Sequence, residues 1–200
     1  MIIFKFGGAS VKDAVSVKNL ASIIKSYTEK MVIVVSAMGK TTNALEDLTV
    51  KYFQGNGEKY TVLENIRQYH YQIAEELFSG PDDPVFGKLN VIVDHLKEKL
   101  DMEPSLNYNF EYDQIVSFGE IISTTIISSY LNSTGINSEW VDIRKCLKTD
   151  NNYREALIDF ELSQRYAEKI FTFENTACYV TQGFIGSDSN NLTTTLGRVI

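Results

Sequence analysis

Apolar residues change their spacing several times along this chain, and each change marks an element. Ile2–Phe6 is a short apolar run that predicts a strand. Residues 12–27 carry Val17, Leu20, Ala21, Ile24 and Tyr27 at helical spacing. "MVIVVS" at 31–36 is a continuous, largely β-branched run, the pattern of a strand covered on both faces. Strand, helix and strand in immediate succession predict a βαβ unit, with parallel pairing and a right-handed crossover. Helical patterning follows at 43–53, 60–78 and 85–100, broken by "SGPDDP" at 79–84. A further helix is predicted over 113–131, ending near Gly135 as a C-cap. Strand-like runs return at 138–143 and 177–182, with a helical stretch at 162–171 between them.

This order predicts an α/β layered domain with an elaborate helical insert. There are no internal repeats, no low-complexity segments and no linker within the 200 residues. A hydrophobic content of 44% is enough for one ordinary domain with a real core.

Composition narrows the function classes. No window approaches the ~18 uninterrupted apolar residues of a membrane span, so no membrane association is expected. The N-terminus lacks the basic, apolar and small-residue succession of a signal peptide. The Asn-x-Ser/Thr matches at 132–134 and 191–193 are accordingly read as incidental. Cys146 and Cys178 have neither metal nor redox spacing, which suits buried thiols in a reducing, cytoplasmic setting. The net charge is −7, from 26 acidic against 19 basic residues. That balance argues against nucleic acid as a partner. An anionic ligand would have to be held by a few local cations and backbone N–H groups.

Three loops are candidates for such chemistry. In "FKFGGAS" (4–10), Gly7 and Gly8 stand where a strand gives way to a helix, and Lys5 lies two residues before them. Glycines there let backbone approach an anion, and the following helix N-terminus favours negative charge. The loop reads as a phosphate cradle, with an ordinary turn as the other reading. "VVSAMGKT" (34–41) ends like a P-loop, but the position that needs its first glycine is Val34, inside the strand run. The Gly-x-Gly-x-x-Gly fingerprint of dinucleotide binding does not occur. In "TQGFIGSDSNNLTTTLGR" (181–198), glycines follow a strand, a polar turn and three threonines come next, and Arg198 can grip a carboxylate in bidentate fashion. Taken by itself that stretch reads as a loop.

Among isolated residues, Glu46-Asp47 and Asp82-Asp83 read as solvated charges. His70 and His95 lie in helical patterns far from other ligand types, which gives no zinc site and no Ser-His-Asp assembly. Glu120 differs: in "QIVSFGEIISTTIISSYL" it is the one charged residue. A carboxylate in such company pairs with a cation or faces water. The first reading makes it a receptor for a ligand ammonium group; the second makes it part of a solvated helix face.

Taken together, "KFGGAS", "VVSAMGKTTN", "VSFGEIIST", "VDIRKCLKTDNNY" and "TQGFIGSDSNNLTTTLGR" resemble, in order and spacing, the signature blocks of aspartate kinases of the amino-acid kinase superfamily. The resemblance runs from the first strand to the chain end. It implies a three-layer α/β/α sandwich with a mostly parallel sheet. It also implies transfer of the ATP γ-phosphoryl group to the side-chain carboxylate of L-aspartate, the step that opens lysine, threonine and methionine synthesis. By resemblance Lys5, Gly7 and Gly8 would contact the transferring phosphates, with Lys5 catalytic and Ser36 lining the same loop pair. Thr42 and Glu120 would hold the amino acid, Glu120 on the α-ammonium, and Arg198 would grip a substrate carboxylate. ATP would bring Mg²⁺ with it.

The residue set agrees with that chemistry. An aspartate side chain, with a pKa near 3.9, is already a nucleophile at neutral pH and needs no general base. The difficulty lies in bringing two anions together, so positioning and charge neutralisation should dominate. Two departures stand out. Ala9 occupies a position where the family usually has Thr. The family also continues past the Gly-Arg pair to a Ser-Asp pair, a nucleotide lobe and ACT regulatory domains. The 200 residues are therefore expected to be the amino-acid-substrate lobe alone, without useful turnover by itself and prone to self-association. Acetylglutamate kinase and glutamate 5-kinase would share the glycine loop and fold but not the "FGE" and "TTTLGR" blocks. A non-catalytic amino-acid-binding or regulatory module and a nucleotide switch acting through Lys40 are the other readings.

Overall fold

The computed structural model describes residues 1–197. Strands β1 (Ile2–Phe6), β2 (Met31–Val35), β3 (Ser138–Val141) and β4 (Cys178–Gln182) form one sheet in the order β1-β2-β4-β3. Every pairing is parallel, with Phe6 opposite Val35, Val35 opposite Gln182 and Val141 opposite Thr181. The carboxyl ends of all four strands therefore lie along one edge, the edge at which open parallel sheets bind ligands.

Helices α1 (Ala14–Lys25), α3 (Lys59–Leu77), α4 (Pro84–Asp101) and α6 (Phe118–Ser133) supply residues to the main core on one face of the sheet. Ile33, Val35 and Val180 meet Leu20, Ile24, Ile122, Ile126 and Ile127 there. A second core joins α2 (Thr41–Phe53) and α5 (Tyr108–Val116) to the ends of α3 and α4 through Leu45, Leu48, Tyr52, Leu96 and Ile115. The opposite sheet face is more lightly covered. There Val32, Val141 and Tyr179 pack against Ile170, Phe171 and Phe173, at and beyond the end of α7 (Phe160–Ile170). This is the expected α/β/α layering, with α2–α5 as the helical insert.

Several boundaries differ from the sequence expectation for local reasons. A 3₁₀ turn over Gly8–Val11 delays the first helix until Asp13 caps it, its carboxylate accepting from Ser16 N–H at 2.8 Å. The helix expected over 113–131 is two helices that meet at Ser117. Ser117 itself keeps right-handed helical angles (φ −58°, ψ −23°), so the apolar period runs through the join without a signal. The third strand stops at Val141 and gives way to a 3₁₀ turn over Ile143–Lys145. The threonine-rich stretch is no loop. It is an antiparallel hairpin of β5 (Ile185–Ser187) and β6 (Thr193–Thr195), its strand residues all buried because α5 and the 147–156 segment cover them. No helix among the described residues is long and apolar enough to cross a membrane.

Candidate functional site

The first two loops at the sheet edge are fitted to one another at the backbone. Gly39 N–H donates to the Gly8 carbonyl at 3.0 Å. A Cβ on Gly8 would lie 2.6 Å from the Ala37 carbonyl oxygen and 3.0 Å from that of Gly39, so only glycine lets the loops close to this distance. Gly39 itself has φ +54°, in the region that favours glycine. Ser36 is fixed from both sides: its N–H donates to Phe6 O at 3.0 Å, and its carbonyl accepts from Ser123 Oγ at 2.9 Å. Below the loops, His70 is buried; its Nδ1–H donates to Ile66 O at 2.7 Å, which leaves Nε2 facing the Thr41 hydroxyl at 3.3 Å. Burial holds this imidazole down to about 4, so it stays neutral.

The first turn of α6 brings Glu120 against the second loop. A Cβ on Gly119 would lie 2.9 Å from Ala37 Cβ and 3.1 Å from Leu45 Cδ1, so glycine is what allows the helix to seat here. Glu120 is 2% exposed, and its Oε1 accepts from Ala37 N–H at 3.3 Å. The solvated-face reading of this residue is thereby overturned: α6 is buried nearly all round, which leaves Glu120 no water-facing side.

The third side of the site is the hairpin. Gly183 N–H donates to Val35 O at 3.0 Å, tying the end of β4 back to β2. Phe184 has φ +67°, an unusual left-handed conformation for an aromatic residue, and its carbonyl accepts from Leu196 N–H at 2.8 Å. The turn swings the chain so that Phe184, Leu196 and Gly197 face the two glycine-bearing loops.

A cavity of about 710 Å³ opens where these three parts meet, lined by Lys5, Gly8, Ser36, Thr42 and Glu120 together with Asn43, Phe184 and Gly197. Five of the seven residues expected from the sequence thus share one cavity. Gly7 stands just before the wall, where it begins the 3₁₀ turn by accepting from Ser10 N–H at 2.9 Å. Arg198 lies outside the described residues. Asn43 and Phe184 were not singled out from sequence. Asn43 reads as an ordinary helix start, and a left-handed Phe gives no signal in one chain. A second cavity of about 890 Å³ shares Phe184 and Gly197 with the first and is backed by Arg154, Tyr112 and Asn109.

The competing motifs take other places. Val34 lies inside β2, and Lys40 lines a separate cavity with Lys12 and Tyr69, so the P-loop resemblance has no P-loop geometry behind it. Glu46 is not simply solvated, because its carboxylate accepts from the Tyr112 hydroxyl at 2.7 Å. Asp83 caps α4 by accepting from Val85 N–H at 3.0 Å. Cys146 and Cys178 are buried free thiols, each pushed up to about 11 by burial. No cluster of three or more His, Cys, Asp or Glu suited to a metal ion occurs among the described residues.

Backbone-rich loops and a lysine on one side, with a buried carboxylate on the other, define an α/β domain suited to a small ligand that carries charges of both signs. The chain belongs to the amino acid kinase family, whose family model matches residues 1–199. Among curated proteins it is 31% identical over 202 residues to the lysine-sensitive aspartokinase 3 of Escherichia coli K12, covering 99% of this chain and 43% of that protein. It is 29% identical over 197 residues to an aspartokinase of Chlamydia trachomatis, covering 98% of this chain and 43% of that one. The chain therefore spans less than half the length of these relatives. Two solved structures of E. coli aspartokinase III are similar to it at 27% identity. One, in complex with lysine and aspartate, has a TM-score of 0.88 over 100% of this chain and 44% of that one. The other, in complex with aspartate and ADP, has a TM-score of 0.86 over 99% and 44%.

Proposed function

We propose that the protein carrying these residues is an aspartate kinase, transferring the γ-phosphoryl group of ATP to the side-chain carboxylate of L-aspartate to give 4-phospho-L-aspartate. The observation that carries this reading is the single cavity in which Lys5, Gly8 and Ser36 face Thr42 and Glu120. The similarity to aspartokinases solved with aspartate and with ADP supports it. Because the chain spans 43% of the length of its curated relatives, the activity is assigned to the whole protein.

Each residue then has a physical task. Glu120, already out of water, meets the substrate α-ammonium; an opposite charge offsets the cost of burying both groups. Arg198 receives a substrate carboxylate through its paired N–H donors. Thr42, in the first turn of α2, orients the amino acid. Lys5 and the N–H groups around Gly7, Gly8 and Ser36 neutralise the transferring phosphates. The ionised aspartate carboxylate attacks without a general base, in keeping with a cavity lining that holds no histidine among the described residues. Mg²⁺, bound with the nucleotide, would supply further charge neutralisation, its ligands coming largely from phosphates and water. A cytoplasmic setting suits the two buried free thiols.

The test is ADP release by the purified whole protein, measured with and without L-aspartate and confirmed by hydroxamate trapping of the acyl phosphate. Aspartate-dependent release that N-acetylglutamate and glutamate do not replace is the expected result. Aspartate binding without any turnover would instead make this a binding or regulatory module. Turnover with glutamate or N-acetylglutamate alone would move it to another branch of the family.

A further inference from the structure

Asp113 is fully buried, yet it belongs to none of the tasks above. Its carboxylate is occupied by backbone and hydroxyl donors from two distant segments. Oδ1 accepts from Thr195 Oγ1 at 2.6 Å, while Oδ2 accepts from Thr195 N–H at 2.8 Å and from Arg154 N–H at 3.0 Å. Both segments need fixing. Thr195 is the last residue of β6, directly before Leu196 and Gly197 on the cavity wall. Arg154 has φ +73°, a left-handed conformation that a non-glycine residue holds only when its surroundings compensate. The next residue, Gln114, repeats the arrangement: its amide donates to Thr193 O at 2.8 Å and accepts from Thr193 N–H at 3.3 Å. The end of α5 thus stands where a neighbouring strand would otherwise pair with β6. On the same edge, Ala156 N–H donates to Thr195 O at 3.1 Å, while β5 pairs with the opposite edge, so β6 is held from both sides.

We propose that Asp113 is a positioning residue for the amino-acid side of the site. It fixes β6 and the 154 turn so that Leu196 and Gly197 keep their places on the cavity wall, on the side proposed for the amino acid. The inference rests on the aspartate kinase reading. It separates two kinds of effect: the hydrogen bonds that Asp113 accepts among the described residues come from Thr195 and Arg154 and not from the glycine loops, so displacement of β6 should reach one substrate more than the other.

The test is steady-state kinetics on the whole protein with Asp113→Ala, Asp113→Asn and Thr195→Val, varying L-aspartate and ATP separately. Asp113→Ala is expected to raise the KM for aspartate by about tenfold or more while KM for ATP changes by less than about threefold, since small misplacements of binding groups are costly. Asp113→Asn should restore the aspartate KM to within about threefold. Its oxygen can take both backbone N–H groups, and its amide can donate to the Thr195 hydroxyl. Thr195→Val removes one of the three donors and should raise the aspartate KM by about threefold, an effect absorbed in the double variant with Asp113→Ala. The inference is overturned by a folded Asp113→Ala with unchanged aspartate KM, by equal shifts in both KM values, or by an Asn variant as impaired as Ala. Should Asp113→Ala fail to fold, Thr195→Val decides: an unchanged aspartate KM overturns it. A wild type with no aspartate-dependent turnover would remove the functional reading itself, whereas an active wild type with an indifferent Asp113 removes only the positioning role.

Discussion

The wall formed by residues 5–43 keeps its shape through backbone, whereas the wall formed by residues 184–197 keeps it through buried side chains. In the first, two loops from adjacent parallel strands touch carbonyl to N–H across Gly8 and Gly39, and a substituent at Gly8 would be met by carbonyl oxygen. In the second, Asp113 and Gln114 reach across more than 75 residues of sequence to hold a short hairpin, and Phe184 and Arg154 turn the chain with left-handed backbone. Phosphates are large anions that accept from many N–H groups, and a backbone cradle suits them. An amino acid must be told apart from its neighbours in size and charge, which needs side chains in fixed places. Under the proposed function, the contrast between the walls follows the contrast between the ligands.

The strongest way to break that comparison is at Glu120. Replacing it by Ala should weaken aspartate binding by at least about a hundredfold, on the order of 3 kcal/mol, because the substrate ammonium would then be buried without its partner. Nucleotide binding should stay within a few-fold of wild type. Calorimetric titration with each ligand measures both, and equal losses would show that the walls are not separate.

Acidity separates them next. The fold favours neutral His70, which supports the first wall at about 4 against an ordinary 6.5, so that contribution is complete above about pH 6.5 and is lost as pH falls toward 4. It favours protonated Asp113, raised by burial to about 6 against the downward pull of the Thr195 and Arg154 hydrogen bonds and the Arg154 charge. That contribution is complete below about pH 4 and is lost as pH rises through 6. Each is worth about 3 kcal/mol at its limit, and between pH 4 and 6 they oppose one another. Urea unfolding at pH 4.5 and 7.5 should show Asp113→Asn gaining stability over wild type at the higher pH only. His70→Gln should have lost wild-type sensitivity at the lower pH.

Gly8→Ala is expected to cost about 1–3 kcal/mol of stability, as overpacking does, with a larger fall in turnover than in aspartate affinity. Thermal unfolding alongside kinetics would establish this, and an unaltered kcat would mean that the loops can part without consequence. The smallest effect belongs to Arg154→Lys. The guanidinium lies 4.4 Å from the Tyr112 ring centroid at an exposed position, so losing that stacking should cost about 0.5–1 kcal/mol, or a fall in Tm of roughly 2 °C.

The βαβ start, the parallel pairing and the glycine loops were legible because each is written in neighbouring residues: β-branched runs, helical spacing, and glycine at a strand end. Glu120 was legible as a lone charge in apolar company, although its burial had to come from α6 being surrounded. The hairpin was not legible, since its strands are three residues long and have meaning only beside α5. Nor was the break at Ser117, whose backbone angles are those of a helix. Asp113 begins an apolar helical run and looks like a solvent-facing helix start; nothing local announces a partner 82 positions away.

The order of strands carries a consequence for how the chain assembles. Among the described residues β3 has β4 as its one neighbour in the sheet, and β4 is also what covers the inner edge of β2. Until residues 178–182 arrive, a growing chain holds β1 and β2 as a two-stranded ribbon with β3 unpaired, and both present open backbone to any other strand nearby. Insertion of a late strand between two earlier ones is a long-range step, slow and exposed to mispairing. Refolding of this domain should therefore be limited by β4 docking, its yield should fall with protein concentration, and substitutions in "CYVTQ" should slow folding more than equivalent changes in "IIFKF".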